Sequence, residues 1–346
     1  MTAEPTNRRT PFQAQSNLKP IKVFLFLLMM LVCHSAALTQ GLSNMPGAFS
    51  EVGFGVRPGG MGNAYTAISN DANAFLTNPA GLLLGARPIF TANYAKLFGI
   101  VPSGYFGVLH PMGKRWSLGG GFLFLGDDAL MENTFGVSAA ATLPNFPIGG
   151  NEIYFDQMSF GITVKGRWAS FGNNSNGGVN QVRGSGSGYA VDLGYLLKID
   201  RKLTIGLMLR DLFNSFSWNS SAKGRYHEGL PATLRFGGSY ILDGITIALD
   251  FRKKLHKDTT SRSYFGVEKT FFKILMLRAG FSNNLASSEL NRRWTFGFSL
   301  LRGVMDDYLV GVNTAYRVDN LDHLFRFGLD FSWGASNNKP PAGRIY

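Results

Sequence analysis

From Ala86 to the C-terminus the sequence keeps to a period of two, and no apolar run in it reaches the length of a membrane-spanning helix. A bilayer-crossing helix needs about 20 consecutive apolar residues. A chain patterned this way crosses a membrane with strands or not at all. Gly188–Ile199 shows the pattern most clearly. Tyr189, Val191, Leu193, Tyr195, Leu197 and Ile199 point one way, and Ala190, Asp192, Gly194, Leu196 and Lys198 the other. The first row suits lipid and the second a wet or filled lumen. Pro231–Leu242 repeats it, with Leu234, Phe236 and Tyr240 outward and Thr233, Arg235, Gly237 and Ser239 inward. Ile245–Lys254 and Leu324–Gly334 do the same, the latter setting Phe325, Phe327, Leu329, Phe331 and Trp333 against Arg326, Gly328, Asp330 and Ser332.

Comparable segments are expected at 87–98, 103–110, 116–125, 134–143, 157–168, 187–199, 203–213, 231–242, 245–254, 262–270, 274–282, 291–300, 307–318 and 324–333. That makes an antiparallel barrel of fourteen strands over residues 86–334. Such barrels have short periplasmic turns and longer outer loops. With a periplasmic N-terminus, the short connections Pro111–Arg115, Asp200–Lys202, Asp243-Gly244 and Phe271–Lys273 all fall on the periplasmic side. The long ones, Ala169–Gly186 and Asn214–Leu230, fall outside, and 144–156 is the exception. Asp243-Gly244 has the composition of a two-residue hairpin turn. A soluble β-sandwich also alternates, but it would bury its apolar row. Here Trp116, Trp168, Trp294 and Trp333 all lie near expected strand ends, as interfacial girdles do.

Composition agrees. Charged residues are 16% of the chain, against about 25% in soluble domains. Residues 1–37 read as an export signal: Arg8, Arg9, Lys19 and Lys22 precede an apolar stretch at Val23–Val32, and Ser35-Ala36-Ala37 offers a small-x-small cleavage site. Its removal takes a net three positive charges, lowering +12 to +9, and takes the sole cysteine, Cys33. The remaining positive charge is spread singly through strands rather than clustered with aromatics, so it faces a lumen or anionic lipid rather than nucleic acid. The expected location is the outer membrane of a Gram-negative-type bacterium, with outer-membrane lipid as the surrounding partner.

Gly55–Gly85 is unlike everything after it. Gly59, Gly60, Gly62, Ala64 and Ala67 come first, then Ser69-Asn70-Asp71, then a short apolar run closing on Asn78-Pro79-Ala80-Gly81. The spacing is loosely helical over Met61–Ile68 and Ala72–Leu76, with Asp71 as N-cap of the second piece and Pro79 ending it. No Gly-Lys-Ser/Thr follows the glycines, so a phosphate loop is excluded. Glycines here let two backbones approach closely. Arg57, Pro58, Gly59, Gly60, Met61 and Gly62, with Asp71-Ala72 and Asn78, Pro79, Ala80 and Gly81, resemble the N-terminal segment of the PorV/PorQ-type outer-membrane proteins. These are relatives of the long-chain fatty-acid transporter barrels. The resemblance implies that the segment precedes a 14-stranded barrel and folds into its lumen as a plug. The expected organisation is therefore a signal at 1–37, a periplasmic lead-in and plug at 38–85, the barrel at 86–334 and a tail at 335–346.

No catalytic apparatus is visible. His34, His110, His227, His256 and His323 lie far apart without metal-ligand spacing, and no cofactor is implied. Gly184-Ser185-Gly186-Ser187-Gly188 has its serines at the wrong offsets for a nucleophile elbow and reads as a flexible strand start. The inward rows carry Lys165, Arg167, Lys198, Arg210, Arg235, Arg252, Arg278, Arg293, Arg317 and Arg326, with Asp192, Asp250 and Asp330. These read either as a network holding the lumen closed or as a lining for an anionic solute or peptide. Two functions follow. A PorV/PorQ-like protein would work through contacts with other components of a secretion or surface-attachment apparatus. A fatty-acid-transporter-like channel would pass a hydrophobic small molecule, with an apolar pocket near Phe75, Leu76 and Leu82–Leu84. After the plug, strands and turns use nearly all the residues, which leaves little for ligand-capturing outer domains and favours the first.

Overall fold

The computed structural model describes residues 49, 53–144, 155–173, 178, 181–255, 261–285, 292–305, 307–319 and 323–334. The export signal, most of the lead-in and the tail 335–346 lie outside the described residues, as do parts of 144–156 and of the 172–183 connection. The strands are β1 (Ile89–Leu97), β2 (Val101–Met112), β3 (Trp116–Gly126), β4 (Leu130–Leu143), β5 (Gln157–Phe171), β6 (Gly184–Lys198), β7 (Leu203–Ser220), β8 (Gly224–Glu228), β9 (Thr233–Leu242), β10 (Ile245–Lys254), β11 (Arg262–Phe271), β12 (Leu275–Asn284), β13 (Arg293–Met305), β14 (Tyr308–Asp319) and β15 (Leu324–Ser332). Every pairing is antiparallel, and β8 pairs only with the far end of β7. The other fourteen form a closed ring, with β15 against β1 and β9 against β7. The chain folds as a 14-stranded antiparallel barrel of the outer-membrane type. We call the end where β1 begins proximal and the opposite end distal.

The alternation behaves as the pattern required. On β10, Ala248, Asp250 and Arg252 are buried while Leu249 is exposed. On β15, Phe325, Phe327, Leu329 and Phe331 are exposed and Arg326 is buried. Trp116, Trp168 and Trp294 face outward, whereas Trp218 is turned inward and buried. Closure pairs the edges of the ring with each other, which leaves no open row of N–H and C=O groups among its fourteen strands. Asp243 and Gly244 both take positive φ, as a two-residue hairpin requires.

Two expectations need correction. Asn214–Leu230 is not an open loop: β7 runs on to Ser220 and returns as β8, stabilised by the Trp218 Nε1 hydrogen bond to Glu228 at 2.6 Å. The Gly184–Gly188 run is regular strand rather than a flexible start. A Cβ at Gly184, Gly186 or Gly188 would collide with Phe171, Phe216 or Trp218, so the glycines make a floor for aromatic rings.

Depth on the outer face is testable. Val137, midway along β4, is 55% exposed, and Ser185 near the distal end of β6 also faces outward. Val137→Arg is expected to lower folding stability in lipid bilayers by about 2–4 kcal/mol, as for a charge near the midplane. Ser185→Arg is expected to stay within about 0.5 kcal/mol of the parent. Equal costs in a denaturant titration would remove the lipid belt from this account.

Candidate functional site

The inner wall alone does not fill the barrel; residues 53–85 do. Helix α1 (Val56–Gly60) lies against β12–β15. Met61–Ile68 runs as turns rather than as the expected helix. Helix α2 (Ala74–Thr77) is a single turn, and a 3-10 helix at Pro79–Leu84 leans on β2–β6. The N-cap of α2 is Asn73, not Asp71 as expected, because the helix starts at Ala74; Asp71 holds the turn before it, its Oδ1 accepting from the Asn73 N–H at 2.9 Å and Nδ2 at 3.0 Å. Pro79 both ends one helix and opens the next: α2 stops at Thr77, with Asn78 held extended before the proline, and the 3-10 helix starts at Pro79. Asn78 caps it, its Oδ1 accepting from the Ala80 N–H at 3.2 Å. A proline at the first helical position loses no hydrogen bond, because that N–H is unpaired anyway.

The segment meets the wall backbone to backbone. At Gly280 a Cβ would overlap Met61 and Gly62; at Gly266 it would overlap Met61; Gly297 faces Gly60. Gly62 itself has φ +63°, which glycine adopts without strain. Gly161 and Gly194 leave room for Pro79 and Ala80. The inward glycines Gly194, Gly237 and Gly328 are not what Gly59–Gly62 meet. Gly60 meets Gly297 and Gly62 meets Gly280, while Gly59 lies against Arg326 and Ala315, because α1 sits over β12–β15 and the Asn78 turn takes Gly194. Gly81 packs on Ser69 within the segment. The apolar positions pack on the wall: Phe75 stacks on Tyr105 with ring centres 6.3 Å apart, and Leu76 and Leu123 complete that cluster.

Three polar assemblies tie segment to wall. Arg57 grips Glu268 of β11 with two hydrogen bonds, at 2.9 and 2.7 Å, and also reaches Tyr65, Asn70 and Asp71. Tyr65 donates to Asp71 at 2.5 Å. Burial pushes the Tyr65 hydroxyl well above the ordinary tyrosine range, against the pull of the Arg57 charge, so it remains a donor. Glu268 also accepts from Arg278 at 2.5 Å. From Arg278 the chain of hydrogen bonds runs through Ser299, Asn313 and Asp330 to Thr91, crossing β12, β13, β14, β15 and β1. In the second assembly, Asp250 accepts from the Tyr65 N–H at 2.9 Å, the Thr66 N–H at 3.0 Å and the Thr66 hydroxyl at 2.6 Å. Arg235 donates to the same carboxylate at 3.0 Å and to the Asn63 carbonyl. In the third, Asn78 Nδ2 donates to the carbonyls of Thr66 at 2.9 Å and Tyr195 at 3.2 Å, while Tyr105 donates to Ala72 at 2.5 Å.

A further network lies in the wall itself. Lys165 contacts Asp192 at 2.7 Å and Asp211 at 2.5 Å, and Arg167 contacts Asp211 at 2.9 Å. Strict alternation would have turned Asp211 outward, since Arg210 faces in. The β6–β7 ladder is irregular between Val191 and Leu193, Asp211 takes φ +56°, and its N–H bonds to Asp192 at 2.7 Å. Glu268 and Asp319 also escaped the sequence reading as acceptors, although Glu268 was on the inward row. Arg293 pairs with Asp319 at 2.6 Å, and Arg252, Arg317 and Arg326 complete the basic inner wall.

Phe49 occupies the distal end. Its N–H donates to Glu132 at 2.8 Å, and its ring packs on Phe216 and under Arg167. At this residue the lead-in lies at the opposite end from the start of β1, not at the proximal end expected of a periplasmic approach. Burying the ring against Phe216 accounts for the difference. Among the described residues, a cavity of about 240 Å³ opens beside the end of the segment at Leu83 and Gly85, and two others flank the part of it inside the barrel. One of about 20 Å³ lies distally beside Phe49, Glu132 and Arg167. The other, of about 100 Å³, lies proximally beside Arg57 and Glu268.

Breaking a buried ion pair by removing one partner costs about 3–5 kcal/mol. Glu268→Ala is therefore expected to release the segment to protease while the barrel keeps its heat-resistant mobility on gels. Arg57→Ala combined with Glu268→Ala is expected to cost less than the two single changes added together, by about 0.5–3 kcal/mol. Strict additivity would mean that the pair does not hold the segment.

No protein-family profile matches the sequence, and no curated protein matches it. Solved structures do match in shape. A monoaromatic hydrocarbon channel, the TodX deltaS2S3 mutant, superposes with a TM-score of 0.57 at 13% identity, over 82% of this chain and 100% of that one. The CymD monoaromatic hydrocarbon channel gives 0.54 at 15% identity, over 83% and 98%. A Pseudomonas aeruginosa FadL homologue gives 0.53 at 11% identity, over 80% and 97%. At such identities the likeness is one of fold: the chain shares the barrel architecture of the FadL-type outer-membrane channels.

Proposed function

We propose that the protein is an outer-membrane channel for small hydrophobic molecules, exported through the signal at 1–37 and acting without catalysis. The observation that carries the reading is the length of the shared fold. This chain spans nearly all of three channels, two of them described as carrying monoaromatic hydrocarbons. The lumen supports it in part. Residues 53–85 act as a plug on this reading, and passage requires that plug to shift, because the distal cavity of about 20 Å³ has room for one or two waters.

A second reading has its own observation. The Arg57–Gly62 and Asn78–Gly81 motifs resemble the PorV/PorQ-type proteins, and the lumen is tied shut by buried ion pairs at Arg57 and Arg235. On that reading the closed barrel is a platform for other secretion or attachment components.

Uptake separates the two. Cells lacking their own hydrocarbon and fatty-acid channels, once given this protein, are expected to take up toluene or a long-chain fatty acid faster. No gain for either probe, with the barrel folded in the outer membrane, would transfer the case to the platform reading. In planar bilayers the intact protein is expected to conduct few ions, and deletion of 59–81 to open a steady pore. A large conductance from the intact protein would defeat the plug. Cysteine at Lys223 is expected to label from outside intact cells and cysteine at Lys202 is not; labelling of both would reverse or void the orientation.

A further inference from the structure

The segment covers the proximal end of the lumen unevenly. Its helices lean on β12–β15 and on β2–β6, and this leaves the proximal cavity against β7 and β9–β12. Arg57, Ile68, Asn70 and Leu84 form its inner side. Across from them the wall presents four hydroxyls, Thr204, Ser239, Thr246 and Thr270, between the apolar side chains of Ile241 and Met276. The volume of about 100 Å³ has room for about seven waters, or one molecule of seven or eight heavy atoms. The lining holds one cation and one carboxylate, Arg57 and Glu268, and these are bonded to each other at 2.7 and 2.9 Å. Their charges cancel locally. An ion would leave water for a site with no net charge to receive it, whereas a neutral molecule would not.

We infer that this cavity is the release subsite of the channel proposed above, and that it takes a small neutral amphiphile: a compact apolar body bearing one hydroxyl or amide. Phenols and aryl alcohols are the chemical class. The apolar side chains receive the ring, and the threonine and serine hydroxyls give and accept the hydrogen bond. The cavity lies on the far side of the segment from Phe49 and borders the Arg57–Glu268 tie, so a solute that has passed the segment arrives here. This inference rests on the channel reading.

The experiment uses full-length protein in detergent micelles, with 4-fluorophenol as probe and fluorobenzene as its apolar counterpart, followed by fluorine NMR titration. Saturable binding of 4-fluorophenol is expected, about threefold to tenfold tighter than fluorobenzene, as one or two hydrogen bonds give. Thr246→Trp, which fills the cavity from a half-buried wall position, is expected to abolish binding of both. Thr204→Val, Thr246→Val and Thr270→Val with Ser239→Ala removes all four hydroxyls with little change of shape and is expected to weaken 4-fluorophenol to the level of fluorobenzene, leaving fluorobenzene unchanged. Binding that survives Thr246→Trp in a folded barrel, or equal affinity for the two probes, overturns the site. Uptake of 4-fluorophenol by cells then tests release. Slower uptake in the Thr246→Trp variant supports it. Lost binding with uptake at the parent rate overturns the release role while the channel stands. No uptake by the parent protein, with binding in micelles intact, fails the channel reading and with it the release role.

Discussion

Closing the ladder of fourteen strands leaves no open edge within the ring, but it creates a lumen that side chains of the wall leave unfilled. Everything peculiar about this chain answers that one geometric fact. The filling comes from residues 53–85, and it works because backbone lies on backbone. At Gly266, Gly280, Gly161 and Gly194 the wall has no Cβ where the segment passes. Close approach brings polar groups into a dry space, where each unpaired one costs about 1–3 kcal/mol. That is why the wall supplies acceptors and donors at the same level: Asp250 for two N–H groups, Tyr105 for the Ala72 carbonyl and Ser159 for the Ala80 carbonyl.

The charges have a different role from the glycines. A buried ion pair adds little net stability over a well-packed apolar substitute, because desolvation offsets the attraction. What it fixes is register. Glu268 receives Arg57 from the segment and Arg278 from the next strand, so the segment can dock in one orientation only. Asp250 does the same for Tyr65 and Thr66. Together they place α1 and the Asn78 turn on opposite sides of the lumen. Between those two contacts the wall is covered by the Met61–Ile68 turns, and the proximal cavity lies beside their proximal side at Ile68 and Asn70.

Most of the barrel was legible because a two-residue period fixes which side chains face lipid, and lipid tolerates no compromise in that row. Leu249 and Phe327 had nowhere else to go. Legibility failed where the backbone departs from the period. Asp211 reaches the lumen through a bulge that no alternation encodes, and the acid that anchors Lys165 and Arg167 was therefore missed. β8 was missed for a related reason: a short strand outside the ring, without an apolar row, carries no lipid signature. Within residues 55–85 the motif marked the right residues but misplaced the helices. α2 does stop before Pro79, as a proline requires, but the same fixed φ also makes proline a good first residue, and the helix that it opens was not legible.

The same geometry limits how anything could cross. Distally the space beside the segment admits little more than water, and proximally it admits a molecule of ring size. Between them stand Phe75, Tyr105 and Tyr65, fully buried, and the ties at Arg57 and Asp250. Packed aromatic side chains in a dense interior do not part by small adjustments; they move between discrete arrangements. A solute therefore cannot diffuse past a static segment. On the channel reading proposed above, passage needs a second arrangement in which at least one tie is open, and its population is set by the strength of that tie. Arg57 is the better candidate for that tie. Its side chain borders the proximal cavity, where water or a hydroxyl can take over its hydrogen bonds one at a time, whereas the Asp250 carboxylate is sealed between Tyr65, Thr66 and Arg235.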